Sequence, residues 1–261
     1  MPLLMRLEDG RGLAQGNYLY GRIKLEQAQD DEVIALCTES KRIFSEEADW
    51  LGVARNLNLL ALCQIRKNRD FQTAHEYLQQ SIALQRDLPL TASYTETLRH
   101  LARIKSVMQE FEAAEQYLSE ATEVARRQKD IGEYAAVLYE RLILCKRRGQ
   151  RDEALRFGRE ALENFRKLGS LRWEALLKTQ IGLLHRANQN FDEALSLLQD
   201  SLQIFSELGD KYEQAHSYFY LYQLYADLND AERSREAKEN ARRLNLELND
   251  SRLTERLNES G

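Results

Sequence analysis

A period of forty residues constrains this chain more than any other feature. The run Phe191-Asp192-Glu193-Ala194-Leu195-Ser196-Leu197-Leu198 has looser copies upstream: stepping back by 40, Phe191 falls on Arg151, Phe111 and Phe71, and Ala194 on Ala154, Ala114 and Ala74. Between the copies lies a second, differently patterned segment of helix length. A hairpin of two such helices cannot bury its apolar face alone, so a chain that writes it about six times predicts a stacked array, an all-α solenoid. Composition agrees: 30% of residues are charged, 43% are hydrophobic and proline occurs only twice, which favours long amphipathic helices.

The first helices are expected at approximately 11–28, 50–68, 91–108, 131–148, 171–188 and 211–228. The second helices are expected at 31–48, 71–88, 111–128, 151–168, 191–208 and 231–248. The units then run 10–48, 49–89, 90–129, 130–169, 170–209 and 210–249 within one domain of residues 1–261. Residues 250–261 form a polar capping segment that starts another first helix. Residues 1–9 read as the end of a preceding helix, so the chain starts partway through a unit, either as an incomplete hairpin or as a piece of a longer array. Leu168-Gly169-Ser170 and Leu208-Gly209-Asp210 mark helix ends: Gly suits the left-handed residue that stops one helix, and Ser or Asp can cap the next. In each second helix one apolar stripe is buried, and the small residue Ala74, Ala114, Ala154 or Ala194 marks where the two helices of a hairpin approach most closely. Gly21, Ala61 and Gly182 are the matching small residues of first helices.

These features resemble the tetratricopeptide repeat. Gly182, the turn Gln189-Asn190-Phe191, Ala194 and Ser201 stand at that family's small, turn and alanine places, and Leu142, Gly149-Gln150-Arg151, Ala154 and Ala161 follow it in part. The period of 40 rather than 34 is similar to the arrays of Pins-type polarity adaptors, of the maltose-regulon activator and related signal-transduction ATPases, and of bacterial quorum-sensing peptide receptors. The resemblance implies a right-handed superhelix whose first helices line an inner wall. It also implies binding of a peptide, a protein or a small inducer rather than catalysis.

Charge is divided between the two kinds of helix. Over seventeen-residue windows the six first helices total +9 and the six second helices −8, inside a chain of net charge −5. Carrying the family's groove places onto this sequence gives Tyr18, Arg22, Asn58, Arg66, Arg99, Arg103, Tyr139, Lys146, Arg147, Thr179, Arg186, Phe219, Gln223 and Asp227, with a one-residue shift in the first two units. Arginine can hold a carboxylate with two hydrogen bonds and tyrosine offers a stacking face. The expected partner is therefore a protein or peptide segment, acidic in character; solvation or pairing with acids such as Glu96 and Glu140 is the competing role for these cations. RNA binding by the same basic wall is the alternative function, disfavoured by overall acidity.

No catalytic or metal-binding constellation is evident. His75, His100, His185 and His216 are scattered, and Cys37, Cys63 and Cys145 sit singly at apolar helix places, as core thiols of a reducing compartment would. In the aromatic run of the last full unit, Tyr218, Tyr222 and Tyr225 follow the packing stripe, Phe219 is expected to face the groove and Tyr220 to lie at its edge. Arg141, Lys146, Arg147, Arg148 and Arg151 form the densest basic run. No cofactor is expected, no stretch is apolar enough to span a bilayer, and a cytoplasmic interaction module is the expectation; the oligomeric state stays open.

Overall fold

The computed structural model describes residues 10–259 apart from 28, 69, 87, 89 and 90. The helix end expected at residues 1–9 lies outside the described residues. Among them the chain is all α, with thirteen helices: α1(Gly10–Glu26), α2(Asp30–Glu46), α3(Trp50–Cys63), α4(Phe71–Gln85), α5(Ala92–Val107), α6(Phe111–Gln128), α7(Ile131–Arg147), α8(Arg151–Lys167), α9(Leu171–Ala187), α10(Phe191–Glu207), α11(Lys211–Asp227), α12(Ala231–Leu248) and α13(Ser251–Glu259). Odd-numbered helices are the first helices of hairpins and even-numbered helices the second, so the solenoid expected from the period is the fold observed. No helix among the described residues is long and apolar enough to cross a membrane. The chain divides within α7 into two compact units, one up to Glu140 and one from Arg141 onward.

The repeat has an internal half-period that the sequence conceals. Left-handed residues occur at Gln109, Lys129, Gly149, Gly169, Gln189, Gly209, Asn229 and Asn249, one at each junction from α5 to α13 and 20 residues apart. Only three are glycine, so the backbone pattern is more regular than the residues that encode it. At Leu208-Gly209-Asp210 the Gly209 N–H donates to the Ser206 carbonyl at 3.2 Å and the Asp210 N–H to the Phe205 carbonyl at 3.0 Å, which is the Schellman closure of a helix end. Asp210 then caps α11, its Oδ1 accepting from the Glu213 N–H at 3.1 Å. Ser170, expected to do the same for α9, makes no side-chain cap bond.

The one-residue shift in the second hairpin has a physical origin. A π turn, Gln64–Asn68, continues α3 and absorbs an extra residue before α4. Such wide turns fit an insertion without ending the helix.

Within hairpins, close approach is set by one recurring pair of places. A Cβ built on Gly21 would meet Cys37 Sγ at 2.9 Å, and one on Gly182 would meet Leu198 Cγ at 3.2 Å. Ala61 and Leu78 fill the same pair in the second hairpin and share one buried cluster with Ala74, Leu101 and Ile104. The fourth hairpin exchanges the sizes: Leu142 stands at the first-helix place and Gly158 at the second-helix place, where an added Cβ would lie 2.7 Å from Leu142 Cδ1. That exchange explains why the fourth unit departs from the family pattern at Leu142. Ala74, Ala114, Ala154 and Ala194 are all fully buried.

The final segment is less solvated than its polar sequence suggests. Leu253 and Leu257 of α13 are buried and pack with Ala215, Phe219 and Ala241, while the helix turns its polar side outward.

Candidate functional site

In the first unit, the expected wall residues belong mainly to the structure itself. Arg66, within the π turn, donates to Asp30 and, at 2.6 Å, to the Leu25 carbonyl, tying α3 to the junction that follows α1. Arg99 Nε donates to Glu133 Oε2 at 3.2 Å. Arg103 Nε donates to Glu140 Oε2 at 3.2 Å, and a second bond joins the same two side chains. The partners lie 34 to 37 residues apart, close to one repeat, so each pair links successive first helices. Burial would lower the Arg103 pKa, but the Glu140 carboxylate outweighs it and Tyr139 adds to the rise.

Asn58 was expected in the groove but is fully buried. Its Oδ1 accepts from Thr97 Oγ1 at 3.1 Å, and Thr97 in turn meets Ser81 and Gln85. It belongs to a buried polar network between helices and presents nothing to a ligand. The Tyr18 ring is also buried, in a cluster with Val33, Cys37, Leu59, Leu60 and Cys63. Burial raises the pKa of its hydroxyl and the Glu96 carboxylate adds to this, against the nearby Arg22 and Arg55 guanidinium groups. Arg22 itself is exposed. Arg55, which sequence reasoning did not select, is half-buried and lines a cavity with Gln15 and Leu51.

Glu96 and His100 form a further charged node. Burial would raise the Glu96 pKa, yet His100, Arg99 and Arg22 outweigh it and hold the carboxyl down to about 2. The His100 pKa is lowered, first by burial, against the pull of Glu96. Its ring nitrogens make no hydrogen bond, the nearer lying 3.8 Å from Glu96.

In the second unit, Arg186 Nη1 donates to Gln223 Oε1 at 2.8 Å and its Nε to Asp227, so three of the expected groove residues are joined to one another. Thr179 is buried, its hydroxyl donating to the Ala175 carbonyl at 3.1 Å. Phe219, expected to face the groove, is instead 1% exposed. It lies under α13, because that helix covers the place an open array end would leave bare. Lys146 Nζ donates to Gln180 Oε1 at 2.9 Å. Its pKa is lowered to about 8, first by burial and then by the nearby Arg147 and Arg256 guanidinium groups. Arg147 is exposed. Gln180, the partner of Lys146, is a residue that sequence reasoning did not select. The available signal was register, since Gln180 stands 40 residues after Glu140, the partner of Arg103, at one place of successive first helices.

The histidines and cysteines bring no reactive arrangement together. His216 Nε2 lies 3.2 Å from Asp250 Oδ2, in a contact that fastens α13 to α11. Among the described residues no three His, Cys, Asp or Glu side chains are grouped to hold a metal ion. All three cysteines are buried and none is in a disulfide. Burial pushes the Cys37 thiol up to about 12 and Cys63 upward as well. Since the thiolate is the reactive form, Ellman's reagent at pH 8 is expected to label the native protein slowly and to titrate three thiols on denaturation. Rapid labelling of any one in the native state would contradict this placement.

Residues 93–167 match a family model for the tetratricopeptide repeat. No curated protein matches the chain in sequence. Among solved structures the chain is similar to BtubC from P. vanneervenii, at 16% identity and a TM-score of 0.63, with 90% of this chain and 92% of that one covered. It is also similar to a signal transduction ATPase with numerous domains from Pyrococcus horikoshii that carries a tetratricopeptide repeat sensor, at 21% identity and a TM-score of 0.71. That match covers 94% of this chain and 36% of the other. A third similar structure is the Rap conjugation gene regulator of the plasmid pLS20 in complex with the Phr* peptide, at 18% identity and a TM-score of 0.73, with 95% of this chain and 65% of that one covered. The repeat model is seated on the third and fourth hairpins, and the array as a whole has the fold of these tetratricopeptide-repeat structures.

Proposed function

We propose that this protein is an interaction module that captures a peptide or an extended segment of a partner protein along the first-helix faces of its hairpins. The segment is acidic at a few places rather than throughout. The observation that carries this reading is the uneven fate of the wall cations: Arg66, Arg99, Arg103 and Arg186 are paired with carboxylates of the chain itself. Arg22, Lys146 and Arg147 have no carboxylate within ion-pair distance among the described residues. Fold likeness to a regulator solved with a peptide supports peptide as the partner class, and the repeat supplies extended surface rather than reactive groups.

Peptide-display selection on the whole chain tests the reading. Enriched sequences are expected to carry Asp or Glu at a fixed place. Arg22→Glu and Arg147→Glu should each weaken them about tenfold, as loss of a charge-assisted hydrogen bond does, with little change in melting temperature because both side chains are exposed. A selection without sequence preference, or binders indifferent to both reversals, would overturn it. RNA affinity falling steeply with added salt would replace it with nucleic-acid binding.

A further inference from the structure

We infer that the cavity between α1 and α3 is a carboxylate-binding pocket in which Arg55 and Gln15 hold the anion and Phe44 and Leu51 receive its apolar stem. The inference rests on the proposed capture of an acidic segment and names where one of its acidic side chains enters.

A single cavity of about 470 Å³ joins these four residues with Arg11, Asp49 and two glycines, Gly12 and Gly52. Gln15 and Arg55 stand 40 residues apart, at one place of successive first helices, and both line the same space. Neither makes a hydrogen bond or an ion pair among the described residues. Phe44 is buried and Leu51 half-buried, so the cavity has an apolar floor beneath its polar rim.

Asp49, the one acid among the lining residues, is already engaged. Its Oδ2 accepts from Arg11 Nη2 at 2.9 Å and its Oδ1 from the Gly52 N–H at 2.9 Å. The same brace recurs 161 residues on, four periods plus the residue that the π turn absorbs: Arg172 donates to Asp210 at 3.0 Å, and Asp210 caps α11. Arg11 and Asp49 thus belong to the scaffold, and their charges cancel. At the same remove Arg55 corresponds to His216, which lies 3.2 Å from Asp250. The matching stretch after Arg55 is Pro89-Leu90-Thr91-Ala92-Ser93, which holds no acid. The pocket therefore has one positive charge to spare. That suits a carboxylate, whereas a phosphate dianion would bring a second negative charge beside Asp49. A carboxylate can take two hydrogen bonds from the guanidinium and another from the Gln15 NH2, while its CH2 groups lie against Phe44 and Leu51.

Butyrate is the first probe because it joins a carboxylate to a short apolar stem. Titrated into the whole chain, it is expected to shift the Gly12 and Gly52 amide resonances saturably, beyond a chloride control of equal ionic strength. Arg55→Gln should weaken butyrate about tenfold, as loss of a charge-assisted hydrogen bond does, and Arg55→Lys should fall in between, because it keeps the charge without the fork. Should Arg55→Gln disturb α3, Gln15→Leu serves in its place: the side chain is exposed, and its loss should weaken butyrate about threefold. Arg11→Gln should weaken butyrate too, since it leaves the Asp49 charge uncompensated in the same cavity. Acetate should bind less tightly than butyrate for want of the stem, and phosphate less tightly still. Equal butyrate responses in the protein and its Arg55→Gln and Gln15→Leu variants, or phosphate binding more tightly than butyrate, would overturn the carboxylate pocket. Selected peptides that bind but ignore both substitutions would remove this pocket and leave peptide capture standing; butyrate binding without any peptide ligand would do the reverse.

Discussion

Arg103→Glu is expected to destabilise the first unit by about 3–5 kcal/mol, the range for breaking a buried ion pair by removing one partner. The Glu140 side chain is 2% exposed and Arg103 is its charge partner through two hydrogen bonds. A glutamate at 103 would place a second carboxylate against one that has no route to water, so Glu140 must take up a proton or the helices must separate. Urea denaturation should show the loss as a lower midpoint. Replacing both residues by leucine should recover most of it, since a well-packed apolar pair often equals a buried ion pair. A midpoint unmoved by the reversal would show that the pair carries no stability. Arg99→Glu should follow the same direction more weakly, because Glu133 is more exposed than Glu140. Charge reversal at Arg99 and Arg103 therefore reports folding before it reports partner binding, and Arg22, Arg147 and Lys146 are the positions for probing recognition.

The helices were legible in the sequence because the period of 40 carries its own register. Residue spacing alone located all thirteen to within a few residues, and the small places of the hairpins followed from it. What stayed hidden was how side chains meet across helices. Arg99 with Glu133 and Arg103 with Glu140 lie 34 and 37 residues apart, two offsets near one period that charge summed over windows cannot resolve. The net sign of the first helices was right, yet it did not tell which cations were already neutralised. Phe219 was misplaced for a related reason: its exposure depends on α13, whose polar sequence conceals the two leucines that close over the ring. Asn58 was misread because a polar residue on a first helix can join a buried network as readily as a groove, and only the positions of Thr97 and Gln85 decide between them.

The exchanged sizes in the fourth hairpin lead to the second large effect. Leu142 is fully buried, and Leu142→Gly would remove its side chain opposite a residue that has none, leaving a cavity with little to collapse into it. The expected cost is about 3–5 kcal/mol, with the lost helix propensity of glycine adding about 1 kcal/mol. Gly158→Leu alone should also be destabilising, because even its Cβ would lie 2.7 Å from Leu142 Cδ1 and 3.1 Å from Ile181 Cγ1, and overpacking of this kind costs about 1–3 kcal/mol or more. Together the two changes recreate the arrangement of the fifth hairpin, where Gly182 faces Leu198. The double variant is therefore expected to be more stable than either single one, and within about 2 kcal/mol of the original, since volume is conserved while Ile181 must still adjust. A double-mutant cycle by urea denaturation gives the coupling directly. Additive losses would mean that the two places do not share one packing site, whereas a strong favourable coupling would show that each hairpin needs one small and one large residue there, in either order.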